Sequence, residues 1–200
     1  MADKPNPSKR SPDMKTPLVT LCLCLLASLS GPSLLAAETG RANDAPAPPP
    51  PALVFAFELR AKVADPVVIG QVPHGLRRIV AITGGSVRGP MMNGVVVPNS
   101  GADWQMIQPD GFSELDTRYT LQSDKGELVY VQNAGVRHAP PEVMKRLNAG
   151  EIVDPKLVYF RTVPKFETNA PGLQWLSRSV FVGVGERSPN EVIVRFYRLE

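Results

Sequence analysis

The sequence predicts an all-β protein: a single antiparallel β-barrel with one or two short helices. Short runs of alternating or β-branched residues recur along residues 52–200, with turn signals rich in Gly, Pro, Asn and Asp between them. Only Pro140-Pro141-Glu142 followed by VMKRLNAG carries clear helix punctuation, with proline at its start, Lys145 and Arg146 toward its end and Gly150 after it. A sheet with so little helix must close on itself or fold double to hide its apolar face. Polar groups set inside the strands favour the closed barrel, because an interior cavity gives them something to line.

The elements come in chain order. Lys4, Lys9, Arg10 and Lys15 precede an apolar run from Leu18 to Leu29, the length of a secretory core and too short to anchor a chain in a bilayer. Residues 1–37 therefore read as a signal peptide, which implies a periplasmic or secreted protein with no stable membrane anchor once the leader is removed. Cys22 and Cys24 leave with it, so the mature chain has neither a disulfide framework nor a thiolate nucleophile. Four basic and two acidic side chains leave as well, and the net charge of +3 falls to +1. No run of Lys and Arg interleaved with aromatics remains, and nucleic acid is excluded as an expected partner. Residues 38–51 end in APAPPPP, an extended spacer that can form neither helix nor ladder.

The domain, residues 52–200, opens with LVFAFELRAKV. Its alternation of Phe55, Phe57, Leu59 and Val63 against Arg60 and Lys62 marks a strand with one buried face. Asp65-Pro66 ends it, and Val67 to Gly70 gives a short second strand. Pro73-His74-Gly75 turns into Leu76 to Ile82. Glycines at 84, 85 and 89 punctuate the next segment, and Val95 to Val97 leads to the turn Pro98-Asn99-Ser100-Gly101. Asp103 to Gln108, Leu115 to Gln122 and Glu127 to Asn133 read as two hairpins in series across Pro109-Asp110-Gly111 and Ser123-Asp124-Lys125-Gly126. After the helix, Leu157 to Val163 returns to strand and Pro171 to Leu176 reads as a helical turn. Val180 to Gly185 and Val192 to Leu199 pair across Ser188-Pro189-Asn190.

Several blocks taken together, LRRIVAITGGSVRGP, SGADWQMIQPDG, ELDTRYTLQSDKGELVYVQNAGVRHAPPEVM, YFRTVPKFET and WLSRSVFVGVGER, resemble the family catalogued as domain of unknown function 3237. The resemblance extends over residues 53–198. It implies a single-domain antiparallel β-barrel and brings no firmly assigned activity; the leader and spacer are additions to the bare domain.

Candidate chemistry concentrates between Asp103 and Pro140. No GxSxG elbow, P-loop, GxGxxG or HExxH is present, which disfavours serine-hydrolase, nucleotide and zinc-protease chemistry. Asp103 beside Trp104 at a barrel mouth fits a general base, since desolvation disfavours a charged carboxylate; its structural alternative is a turn cap. Period two puts Asp116, Arg118 and Thr120 on one face and Thr117, Tyr119 and Leu121 on the other. Arg118 facing a cavity would hold an acidic oxygen by a forked contact, and facing outward it would only pair with Asp116. Tyr130 fits a hydrogen-bond donor, Asn133 an amide re-aimed by a bend at Asn133-Ala134-Gly135, and Tyr159 with Arg161 a second aromatic and cation pair. His138 fits a rim acid or base. The only two histidines, His74 and His138, do not make a metal site by spacing, and neither a metal nor a cofactor is expected.

Two functions of different class emerge. In the first, the barrel binds a small apolar or aromatic acid, with Arg118, Arg161, Asn133 and Tyr159 as ligand contacts and Trp104 as a wall. In the second, the same pocket serves a cofactor-independent isomerase, cyclase or lyase, with Asp103, Tyr130 and His138 as catalytic groups. A structural or assembly role is a third, reached if the polar residues face outward, and self-association is left open.

Overall fold

The computed structural model describes residues 47–200. The leader of residues 1–37 and residues 38–46 of the spacer lie outside the described residues. Residues 47–52 are exposed and without regular structure, as consecutive prolines require. Ten strands make up the wall: β1 (Leu53–Val63), β2 (Val67–Val72), β3 (Gly75–Arg88), β4 (Gly94–Val96), β5 (Gly101–Ile107), β6 (Ser113–Ser123), β7 (Leu128–His138), β8 (Tyr159–Glu167), β9 (Phe181–Ser188) and β10 (Glu191–Leu199). They close into an antiparallel barrel of eight staves, accompanied by two short helices, α1 (Pro141–Asn148) and α2 (Gln174–Ser177).

Ten strands make eight staves because two staves are broken. β4 and β5 both lie between β3 and β6, interrupted at residues 97–100, where Asn99 turns the chain with φ 56°. On the other side of β3, β1 pairs with Ile82–Arg88 and β2 takes over along Gly75–Ile79. Closure runs through β1, bonded to β10 on one flank and to β3 on the other. The far flank of β2 has no strand partner among the described residues.

Alternation then sorts the side chains. At one end of the barrel Phe57, Phe166, Phe181 and Phe196 fill the lumen, with ring centroids 5.2–6.0 Å apart at steep angles. Leu173 and Leu176, from α2 and the turn before it, roof this end. Each such ring contributes roughly 1.5–3 kcal/mol by leaving water. The bulge between Phe55 and Phe57 breaks the alternation expected for β1: it buries Ala56 and turns Phe55 outward against Tyr197. α1 carries its own small cluster, Val143, Met144 and Leu147 with Val153.

The bend expected at Asn133-Ala134-Gly135 does not form. β7 keeps register with β6 and β8 straight through it, from Tyr130 to Arg137. Gly135 is there for space, since a Cβ would stand 2.4 Å from the Arg161 carbonyl oxygen. Gly101 is tighter, at 1.7 Å from the Arg118 carbonyl oxygen, whereas Gly126, with φ 84°, faces open space. Gly101→Ala is therefore expected to destabilise the barrel by about 3 kcal/mol, because β5 must part from β6. Gly126→Ala should cost about 1 kcal/mol for its backbone alone. Urea unfolding of the pair checks this, and equal costs would contradict the packing argument.

Candidate functional site

The other end of the lumen is polar. Asp103 on β5 stands opposite Thr117 on β6, which stands opposite Asn133 on β7. One step nearer the rim, Gln105 faces Arg78 of β3. Arg137 of β7 faces Phe160 of β8, and Arg187 of β9 faces Val192 of β10. All of these occupy the inward parity of their strands, the positions that elsewhere hold Val, Leu and Phe.

Hydrogen bonds fix Asp103 in place. Its Oδ1 accepts from the Thr117 hydroxyl at 2.9 Å, and its Oδ2 accepts from Gln105 Nε2 at 2.5 Å. Gln105 Oε1 in turn accepts from Arg78 Nε at 2.6 Å. Arg137 is only 2% exposed, and its guanidinium lies 5.8 Å over the Phe160 ring. Arg137 Nε and Nη2, Arg78 Nη2, the Tyr119 hydroxyl, Asn133 Oδ1 and Thr162 Oγ1 are all buried without a hydrogen-bond partner among the described residues. Such groups cost about 1–3 kcal/mol each when left unpaired, and five of the six belong to residues lining one cavity, so water or a ligand held there is what satisfies them.

Electrostatics reflect this burial. Burial lifts the Asp103 carboxyl above the usual carboxylate range, against the hydrogen bonds from Gln105 and Thr117 and the charges of Arg137 and Arg78, which favour its ionised form. Burial pulls the Arg137 guanidinium down to about 9, helped by repulsion from Arg187 and Arg78, and it stays cationic at neutral pH. Arg78 and Arg187 are lowered for the same first reason, burial. Burial also pushes the Tyr119 phenol up, which keeps it a protonated donor.

Asp103, Gln105, Asn133, Tyr119, Arg137 and Arg187, with an apolar wall of Leu59, Ala61, Val80, Ile82 and Val194, line a cavity of about 50 Å³, and Arg78 stands behind Gln105. It would hold a few waters or a compact ligand group. The chamber presents cationic and neutral donors around one carboxylate, with grease behind them. That arrangement can grip an oxyanion and can place a carboxylate against a proton of whatever is held.

Of the residues expected from the sequence, the structure brings Asp103 and Asn133 into this chamber. The other six stand on the outer wall. Arg118 faces solvent and pairs with Asp116 at 3.1 Å, because Leu115, Thr117, Tyr119 and Leu121 take the inward parity of β6. Trp104, Tyr130 and Tyr159 are exposed for the same reason of parity. His138 stacks between Phe112 and Tyr159, at 6.0 and 5.0 Å, on the outside, with the Arg161 guanidinium 5.0 Å from the Tyr159 ring. The arginine and tyrosine pairing is real, but it decorates the surface. Arg118→Ala and Arg161→Ala should each change stability by no more than about 1 kcal/mol. Neither should alter binding of a small acid, as titration calorimetry would show; a tenfold loss in either would return the site to the outer wall.

Sequence reasoning missed Arg78, Gln105, Tyr119, Arg137, Thr162 and Arg187 as contacts, and the three arginines among them carried a readable signal. Arg78 lies two before Val80 and four before Ile82. Arg137 continues the series Val129, Val131, Asn133, and Arg187 continues Gly183, Gly185. A charge in phase with a buried series is the mark of a lined lumen.

Among the described residues, no cluster of three or more His, Cys, Asp or Glu is arranged to hold a metal ion, and no helix is long and apolar enough to cross a membrane.

Comparison with known proteins agrees with this architecture. The family described as Protein of unknown function (DUF3237) matches residues 51–199. A UPF0311 protein of Rhodopseudomonas palustris is 41% identical over 145 residues, which is 72% of this chain and 94% of that one. The crystal structure of a conserved protein of unknown function from R. palustris superposes with TM-score 0.73 at 38% identity, covering 76% of this chain and 100% of that one. A structure described as an enzyme from Penicillium herquei shares the fold, with TM-score 0.57 at 18% identity over 76% of this chain and 97% of that one.

Proposed function

Because the chain belongs to the family described as Protein of unknown function (DUF3237), and membership brings a barrel and no activity, we propose its function from the chamber: the barrel binds a small organic acid with an apolar or aromatic body. The observation that carries this is Arg137, buried to 2% exposure with Nε and Nη2 unpartnered at the cavity. A buried guanidinium whose N–H groups lack a partner is unfavourable unless water or a ligand in the cavity completes it, and of the two only an anion also balances its charge. The acid head lies against Arg137, with the Tyr119 and Thr162 hydroxyls as further donors. The body lies against Leu59, Val80, Ile82 and Val194. This keeps the acid-binding reading of the sequence and moves the arginine that holds the acid head from β6 and β8 to Arg137 on β7. The signal-like leader supports a periplasmic or secreted setting for it, and a purified mature chain that retains the leader would count against that.

Asp103 favours a second reading, in which the barrel turns its ligand over without a cofactor, as an isomerase, cyclase or lyase. A carboxylate whose proton affinity is raised by burial, held at both oxygens and facing the cavity, suits proton transfer. Tyr130 and His138, on the outer wall, have no part in it.

Native mass spectrometry of the mature domain purified from its own host, with release and identification of bound molecules, tests the binding reading. A retained acid that is lost in Arg137→Met supports it. An empty protein with no thermal shift across a panel of aromatic and aliphatic acids overturns it. Turnover of a retained acid, abolished in Asp103→Asn, would raise the second reading above the first.

A further inference from the structure

We infer that the ligand is a dianion held between two guanidiniums, Arg137 in the chamber and Arg187 toward its rim; this deepens the acid-binding reading and rests on it. Three arginines, Arg78, Arg137 and Arg187, share the polar end with one carboxylate, Asp103. None of the three forms an ion pair among the described residues. The ion-paired arginines there are Arg60, Arg88, Arg118, Arg146, Arg195 and Arg198. The acidic groups nearest in sequence to Arg187 are engaged on the outer face, Glu186 with Arg195 and Glu191 with Arg60. The charged lining of the cavity is Arg137, Arg187 and Asp103, with Arg78 bonded behind Gln105. With Asp103 protonated the lining carries two positive charges in excess, and with Asp103 ionised the polar end as a whole, Arg78 included, still does. A single carboxylate would leave one of them uncompensated in a site walled by Val, Leu and Phe, and two negative charges would balance it.

Placement supports the same assignment. Arg137 on β7 and Arg187 on β9 flank the stave that carries Phe160 between them. Phe160 packs on the bare backbone of Gly185, where a Cβ would meet its ring at 2.5 Å, so the ring lies flat between the two arginine-bearing strands. Arg78 is committed through Nε to Gln105 and hence to Asp103. Arg137 and Arg187 keep their guanidiniums for the ligand. Guanidinium chemistry accepts either two carboxylates or one phosphate monoester.

The test uses three probes with one apolar body: benzoate, phthalate and phenyl phosphate, titrated calorimetrically into the full mature chain at pH 7.5 and low salt. Arg187 is half-buried at the rim, so Arg187→Gln should fold, and Arg187→Lys restores a charge without the fork. The expected result is at least tenfold tighter binding of one or both dianions than of benzoate. Arg187→Gln should erase that preference while benzoate affinity stays within about threefold, and Arg187→Lys should recover part of it. Phthalate above phenyl phosphate assigns a dicarboxylate; the reverse assigns a phosphate ester. Benzoate binding as tightly as both dianions, or a preference untouched in Arg187→Gln, overturns the dianion while leaving the acid site standing. Failure of all three probes removes the acid-binding reading and this inference with it.

Discussion

Arg137→Met is expected to abolish acid binding and, in the same protein, to make the empty barrel more stable. The two effects share one cause. Arg137 holds its charge in a chamber that also contains Arg78 and Arg187, and burial together with their repulsion already lowers its proton affinity. Replacing a poorly compensated buried charge with an apolar side chain of similar length commonly stabilises a protein by about 1–4 kcal/mol. The same substitution removes two free donors, Nε and Nη2. At about 1.5–3 kcal/mol for each hydrogen bond to a charged group, binding should weaken by a factor on the order of a hundred or more. Urea unfolding and calorimetric titration on the same preparation read both. A variant that loses several kcal/mol and still binds would mean that Arg137 braces the wall instead of holding a ligand.

The second large effect concerns Asp103 and pH. Its carboxyl is raised in the folded protein above the ordinary value near 3.8, first by burial. The native state therefore keeps this proton at a pH where the unfolded chain has released it. The stability it contributes is fully present below about pH 4 and is lost as pH climbs through the raised value. Asp103→Asn keeps the neutral form at every pH, so the stability of wild type minus variant should fall as the solution is brought from pH 4 toward neutrality. Paired urea midpoints at several pH values measure this. A difference that instead grows in favour of wild type would mean that the three arginines dominate and the group is held as an anion. If the chamber also performs chemistry, the same variant should lose on the order of 10²–10⁴ in turnover, the usual scale for a missing general base.

Much of the wall is legible in the residues. The sequence bounds β1 at Leu53 and Val63, as the structure does, because the run is rich in β-forming residues, alternates from Phe57 onward and is closed by Asp65-Pro66. The hairpins joining β5, β6 and β7 are written in Pro109-Asp110-Gly111 and Ser123-Asp124-Lys125-Gly126, where the turn chemistry is local. The length of β3 is not legible. Gly84 and Gly85 look like punctuation, yet the strand runs on to Arg88, and Gly85 is required because β1 passes so close that a Cβ would meet the Arg60 carbonyl oxygen at 2.1 Å. That is a tertiary constraint with no local trace.

The site is half legible. Asp103 and Asn133 stand out because they are polar within strands. Arg118 draws the eye before Arg137 because it lies beside other reactive groups, whereas phase decides the matter. Tyr119 and Leu121 claim the interior of β6 and leave Arg118 outside; Val129 and Val131 put Arg137 inside. Which phase is inner is settled by the most apolar set on each strand, and near the rim, where that set gives way to Arg and Gln, the guide fades.

The bare flank of β2 gives the molecule two ends that differ in tempo. Where Phe57, Phe166 and Phe196 interlock, the rings are buried against one another and β1 is laddered to β10 along Phe57–Lys62. Amides of that ladder should exchange with deuterium only when the whole domain opens, although β8 and β9 pair only at Arg161 and Thr162. Beside Arg78 the wall relies on β2, six residues tied to β3 alone. Its amides should exchange by local breathing, far faster than those of β1 on the same stave. A guest could then come and go through a wall that yields on its own schedule, while the phenylalanine end keeps the barrel in register.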